Sequence, residues 1–361
     1  MSINSIKINN LRNLESVALD LSSQINVLYG ANGSGKTSFL EAIYLLGMGR
    51  SMRSAKSSIL VQHGKEYCTV FAKINGQMNL MHSLGVRRNK NNELHIHLDQ
   101  ETITKTAKLI DLLPLQVIDH TSFNLVDGIP KVRRQFLDWG VFHAQSQFLM
   151  IWRRTNKALK QRNAWLKKSL DYKNDVWGQE LENASNELDN YRAAYVTDLE
   201  PVFRQIMRQI IDSLNVTLTY YRGWDINKNL SLVLASNYVR DKTLGFSSFG
   251  PQKADIRIKA NGQNASEVLS RGQQKLVAYA LLLAQGYLLN ETKRTQCIYL
   301  IDDLSAELDA GYQKIICALL EDLSCQVFIT TTNKNDFCAN WQKSTPFRLF
   351  YVKQGTISQQ E

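Results

Sequence analysis

The 361-residue sequence predicts an α/β fold with a mostly helical lobe inserted in it, on three observations. A strand, a glycine-rich turn and a helix start succeed one another near the beginning of the chain. A second apolar strand, ending in two carboxylates, lies near its end. Between them the hydrophobic pattern changes from a two-residue to a helical period. The two ends therefore build one sheet and the middle leaves it as an insertion. Residues 1–124 and 216–361 are the expected halves of the head, and residues 125–215 the helical lobe.

Residues 3–8 and 16–20 read as short strands flanking Leu11, Arg12 and Asn13. The run from Ile25 to Ser38 then reads as a buried strand, a turn and a helix. Gly30, four residues, and Gly35-Lys36-Thr37 match the P-loop pattern, in which a backbone poor in side chains turns successive N–H groups onto one anion. Those donors and the positive end of the helix suit a polyphosphate. Gly30, Ala31, Asn32, Gly33, Ser34, Gly35, Lys36 and Thr37 are the candidate nucleotide-binding residues. Lys36 would reach the β and γ phosphates, and the Thr37 hydroxyl would ligate a Mg²⁺ shared with the nucleotide.

After the helix, Gly47 to Arg53 is a basic, glycine-bearing loop that faces phosphate or solvent. Tyr67 to Ile74 and Leu94 to Leu98 alternate as half-buried strands do. That alternation puts Glu93, His95, His97 and Asp99 on one face, which reads as a solvated face rather than a metal site. Arg87 to Asn92 reads as a turn.

Ile151, Ala158 and Trp165 recur every seven residues, as do Trp152, Leu159 and Leu166, giving one apolar helical seam. Away from it, Arg153 to Lys173 carries eight basic side chains against one acidic, Asp171. That face is either simply hydrated or tracks phosphates, with Arg153, Arg154, Lys157, Lys160, Lys167 and Lys168 as DNA-contact candidates. Trp165 and Tyr172 could stack on bases. Pro201 is expected to open a further helix, Val202 to Leu214, before a strand at Val216 to Tyr221.

Composition agrees with a polyanionic partner: 43 Lys and Arg against 33 Asp and Glu give a net charge of +10. The five cysteines form no C-x-x-C pair, which speaks against a disulfide framework or zinc site. Met1 to Asp20 carries charges without an apolar run, so no secretory signal is expected. Leu276 to Leu289, the most apolar helix candidate, is shorter than the ~20 residues that span a bilayer. A cytoplasmic protein with no membrane partner is the expectation.

The second half supplies the remaining motifs. Ser270-Arg271-Gly272-Gln273 precedes a long apolar helix and resembles the signature motif of ABC-type ATPases. Chemically it joins a hydroxyl, a flexible glycine and the free N–H groups of a helix start. Cys297 to Asp303 has the Walker B form: Asp302 would hold Mg²⁺ through a coordinated water, and Asp303 would orient or deprotonate the attacking water. Lys36, Asp302 and Asp303 are thus the candidate catalytic residues, and Thr37 and Asp302 the candidate metal ligands. Ser305 to Asp309 resembles the D-loop of the same class. Asn333-Lys334-Asn335-Asp336 spells the guanine-reading element of GTPases, but Asp302-Asp303-Leu304-Ser305 lacks the glycine of a GTPase switch.

Together these motifs predict an ABC-type P-loop ATPase head with the helical lobe inserted. In such heads Ser270, Gly272 and Gln273 complete the ATP site of a second copy, so ATP would hold a homodimer together.

The chain further resembles the RecF family of bacterial recombination and replication-repair proteins. The resemblance rests on Leu11-Arg12-Asn13, the P-loop, Phe136-Leu137-Asp138-Trp139-Gly140 and Gln161-Arg162-Asn163-Ala164. It continues through Gly250-Pro251-Gln252-Lys253-Ala254-Asp255, Leu269 to Gln273 and Tyr299 to Asp303. It implies ATP-dependent dimerisation, binding of DNA at single-strand gaps and slow DNA-stimulated ATP hydrolysis as a switch. It also implies partnership with RecR and RecO in loading RecA. Arg12 joins the nucleotide-binding residues on the same basis. Gln252 departs from the family's usual histidine after Gly-Pro, and Thr330-Thr331-Thr332 stands where transporters carry a switch histidine. Gln116 is the Q-loop candidate. A structural DNA clamp with negligible turnover, or a transporter ATPase subunit, would use the same ATPase motifs.

Overall fold

Ile25–Tyr29 is apolar along its length, as a strand covered on both faces must be. In the computed structural model, which describes residues 1–54, 56–76, 80–168, 175–336 and 340–360, it lies inside a six-stranded sheet. The order is Thr356–Gln360, Phe347–Lys353, Ile25–Tyr29, Gln326–Thr331, Ile298–Ile301, Leu115–Ile118. All neighbours are parallel except the first pair. The register places Ile329 opposite both Ile301 and Val27. The strands that precede the P-loop and the paired carboxylates therefore end at one edge, two places apart.

A second, antiparallel sheet runs Leu14–Asp20, Ser2–Leu11, Tyr67–Asn75, Met81–Asn89, Leu94–Leu98, Glu101–Ile103. The strand Met81–Asn89 takes up Arg87 to Asn89, which the sequence pattern assigns to a turn; the reversal comes at Lys90 and Asn91. The helix Lys36–Met48 buries Phe39, Leu40, Ala42, Ile43, Leu45 and Leu46. These side chains share one core with Ile6, Ile8 and Val70 of the antiparallel sheet and Leu28, Leu300 and Phe328 of the parallel one. A helix covered this fully needs an apolar surface nearly all round. Gly47 allows the tightest approach, since a Cβ there would lie 2.5 Å from Leu115 Cδ1.

Both sheets belong to a compact unit made of Met1–Ser122 and Leu289–Glu361; the other unit is Phe123–Leu288. The second unit thus runs well past the expected boundary at residue 215. Val216–Tyr221 pairs antiparallel with Asp255–Ala260 in a three-stranded sheet of this unit, not with the parallel sheet.

The helices Pro130–Ala144, Phe148–Lys168 and Val176–Ile210 all lie in that unit. Pro201 does not open a helix but lies inside the last one. The bond its missing N–H forfeits is outweighed by the burial of Leu199 and Phe203 on either side. In Phe148–Lys168 the buried row is Phe148, Ile151, Thr155, Ala158, Arg162 and Leu166. The expected seam is therefore rotated: Trp152 is 36% exposed, and Trp165 is half-buried against the Tyr238 ring.

Arg162, counted by sequence among the solvated cations, is fully buried. It donates to Asp175 at 2.8 Å, Asp241 at 3.0 Å and Ser247 at 2.7 Å. Asp175 in turn caps Val176–Ile210 by accepting from the Gly178 N–H at 2.7 Å. Asp171, Tyr172 and Lys173 lie outside the described residues. No helix among the described residues is long and apolar enough to cross a membrane.

Arg162→Ala leaves Asp241 buried without its cation, and it is expected to lower stability by about 3–5 kcal/mol. Urea unfolding of the full chain measures this.

Candidate nucleotide-binding site

The turn from Gly30 to Gly35 connects Ile25–Tyr29 to Lys36–Met48 and requires glycine where it has it. Gly33 and Gly35 have φ of 76° and 121°, a region costly for residues with a Cβ. A Cβ on Gly30 would lie 2.2 Å from the Val352 carbonyl oxygen. Asn13 braces the turn from outside, donating to the Ser34 carbonyl at 3.2 Å and accepting from Ser38 at 2.8 Å.

Lys36 is buried, and its ammonium donates to the carbonyls of Gly30 at 2.7 Å and Ala31 at 3.1 Å. Burial pushes its pKa below the ordinary lysine value, and the charges of Asp303 and Asp302 oppose that shift. The Thr37 hydroxyl donates to Asp302 Oδ1 at 3.0 Å. P-loop and paired carboxylates thus meet, and Arg12, Asn32, Gly33, Gly35, Lys36, Thr37, Asp302 and Asp303 line one cavity of about 540 Å³. A hydroxyl and a carboxylate offer Mg²⁺ hard oxygen ligands, few enough for it to keep waters and take phosphate oxygens. The donor set therefore fits that ion.

Three further residues in and around this cavity have no role that the sequence motifs assign. Arg53, which follows Lys36–Met48 in the basic loop, also lines the cavity, with its guanidinium 3.8 Å from Asp302 Oδ2. Thr330 lines it as well and hydrogen-bonds to Asp302. Glu41, buried in the helix, accepts from Arg12 at 2.7 and 3.0 Å and from the Ser51 hydroxyl. It commits the guanidinium of Arg12 to the protein while leaving Arg12 at the cavity wall. A carboxylate one turn beyond a P-loop lysine was the available signal for Glu41.

The signature residues belong to the other unit. There Ser270 N–H donates to Gln273 Oε1 at 3.0 Å and Gln273 N–H to Ser270 Oγ at 3.3 Å, a reciprocal capping box at the start of Arg271–Lys293. Ser270, Arg271 and Gly272 are exposed.

Of the DNA-contact candidates, Arg153, Lys157, Lys160, Lys167 and Lys168 are exposed on Phe148–Lys168. Arg153, Lys157, Lys160 and Lys167 fall at helical spacing on one row. Arg154 is instead held by Glu180 at 2.8 Å and Glu187 at 3.4 Å.

The GTPase-like element is spent locally. The Thr331 hydroxyl donates to Asp336, and Asn333 Oδ1 accepts from the Asn335 N–H at 3.2 Å. Gln116 is buried in Leu115–Ile118, opposite Tyr299. His95 and His97 are exposed, and among the described residues no group of three or more His, Cys, Asp or Glu is placed to hold a metal ion.

A family model, the RecF/RecN/SMC N terminal domain, matches residues 2–358. The DNA replication and repair protein RecF of Pseudomonas syringae pv. syringae strain B728a is 48% identical over 361 residues, covering 99% of this chain and 98% of its own. Its namesake in Pseudomonas aeruginosa strain LESB58 is 47% identical with the same coverage. A solved structure of the recombination mediator protein RecF with ATP aligns with a TM-score of 0.88 at 23% identity, covering 100% of this chain and 98% of that one. An Smc head bound to the C-winged helix domain of ScpA aligns with a TM-score of 0.63 at 16% identity, covering 100% and 97%. The architecture is the ABC-type head fold of these proteins.

Proposed function

The chain belongs to the RecF family of DNA replication and repair proteins, and on that premise we propose that it is an ATP-dependent DNA-binding protein of gap repair. One observation carries the reading: Lys36 and Thr37 from one chain end and Asp302 and Asp303 from the other wall a single cavity.

In this reading Lys36 leaves the turn's carbonyls for the β and γ phosphates, and the turn's N–H groups bind the same anion. Thr37 and Asp302 would hold Mg²⁺, which when bound neutralises charge on the phosphate oxygens. Asp303 orients the water that attacks the γ-phosphorus. Ser270, Gly272 and Gln273 of one copy cap the triphosphate of another, so that ATP closes a dimer and hydrolysis releases it. The row Arg153, Lys157, Lys160 and Lys167, with Lys168 beside it, tracks DNA phosphates at a gap junction. RecR, RecO and RecA as partners, and the cytoplasm as the compartment, follow from the family alone.

Lys36→Met is expected to abolish binding of a fluorescent ATP analogue. Asp303→Asn should instead keep binding and hold the ATP-bound dimer, seen as a persistent dimer by light scattering. Equal loss of binding in both variants contradicts these roles. Steady-state hydrolysis with and without DNA separates the switch from a clamp, which would bind both ligands without turnover.

Affinity for gapped DNA should fall steeply with salt if the cationic row contacts phosphates. Replacing Arg153, Lys157 and Lys160 by Ala should lower the slope of log K against log salt by about one for each phosphate no longer neutralised. An unchanged slope removes the row from the interface.

A further inference from the structure

Thr330 is wholly buried in the strand next to the one that ends just before Asp302. Its hydroxyl works in both directions. It donates to Asp302 Oδ1 at 2.6 Å and accepts from the Asp303 backbone N–H at 2.9 Å. The same Oδ1 accepts from Thr37 at 3.0 Å, so two hydroxyls converge on one oxygen. The other oxygen, Oδ2, has the Arg53 guanidinium 3.8 Å away, beyond hydrogen-bond range. Asp303 is the N-cap of the short helix Leu304–Glu307 and sits in the left-handed region, with φ 56° and ψ 51°, where few residues with a Cβ are found.

Those facts divide the labour at Asp302. One carboxylate oxygen is anchored to the protein, and the other is left toward the cavity. An aspartate with neither oxygen anchored would swing about its χ angles and lose rotamer freedom on meeting a cation. The anchor removes that freedom beforehand, which is the usual gain from preorganising a ligand. The acceptor half of the same hydroxyl ties down the Asp303 N–H, the second backbone donor after the strand. It thereby supports the left-handed turn that carries the Asp303 side chain.

We propose that Thr330 is a positioning residue for the divalent cation of the ATP site, fixing Asp302 through Oδ1 and the turn at Asp303 through its backbone N–H. This rests on the reading of Asp302 as a cation ligand. Thr37 and Thr330 then differ in kind. Thr37 would offer its oxygen to the cation while its proton stays directed at Asp302, whereas Thr330 would act on the cation only through Asp302 and the Asp303 N–H.

The test compares Thr330→Val, which keeps the shape and loses both hydrogen bonds, with Thr330→Ser, which keeps them. Affinity of the full chain for a fluorescent ATP analogue is measured with EDTA and with a Mg²⁺ titration, alongside thermal unfolding. Charge-assisted hydrogen bonds of this kind set the scale. Thr330→Val should bind the analogue in EDTA within about twofold of the unaltered chain, while the Mg²⁺ concentration at half-effect rises about tenfold. Thr330→Ser should restore it to within about twofold. An unchanged Mg²⁺ requirement in Thr330→Val overturns the proposal, as does an equal loss of affinity with and without Mg²⁺. Should Thr330→Val unfold, Thr330→Cys, close in volume and a weak donor, gives the same comparison. Asp302→Asn separates the two levels of inference. If it keeps the full response to Mg²⁺, the assignment of Asp302 fails, and Thr330 with it. If it loses that response while Thr330→Val keeps it, Thr330 alone fails.

Discussion

The hydrogen bond from Thr37 to Asp302 joins residues 265 positions apart. Nothing local brings them together. The constraint is parallel pairing: Gln326–Thr331 lies between Ile25–Tyr29 and Ile298–Ile301, so that three strand ends from the two chain termini share one edge. Such an edge is where open α/β sheets place ligands, because each following turn leaves its N–H groups and side chains facing the same space. The P-loop helix is then held from both sides by apolar packing. Loosening that core would disperse the cavity even with every lining residue intact.

Beside the phosphate-binding turn, charge is arranged around one buried carboxylate, Glu41. Glu41 gathers Arg12 and Ser51. The Ser51 hydroxyl in turn accepts from the backbone N–H groups of Arg53 and Ser54 at 3.1 Å each. One side chain on the P-loop helix therefore shapes the loop that presents Arg53. A buried acid with several good donors costs little and specifies geometry; with one donor missing it would be a liability.

Much of this was legible in the sequence for identifiable reasons. The P-loop, the strand before Asp302 and the order of motifs are patterns whose chemistry demands particular residues, and they led to the α/β head and to Lys36, Thr37, Asp302 and Asp303, which line one cavity. What was not legible depended on tertiary partners. Arg162 looks like any other cation on a basic helix until Asp175 and Asp241, which follow it in sequence, surround it. Pro201 looks like a helix start because the packing that carries a helix through a proline leaves no local mark. Thr330 is one of three consecutive threonines, and only pairing across strands singles it out. The extent of the inserted unit was misjudged because Val216–Tyr221 has strand character without stating which sheet it joins.

Ser270 and Gln273, by bonding to each other's backbone, engage two of the donors at the start of their helix. At those two N–H groups a visiting oxygen atom must compete with a resident one, and its reward is only the difference between two similar bonds. A helix start with bare donors would grip whatever anion it met. One with two donors already engaged holds a newcomer less tightly and lets it go more readily.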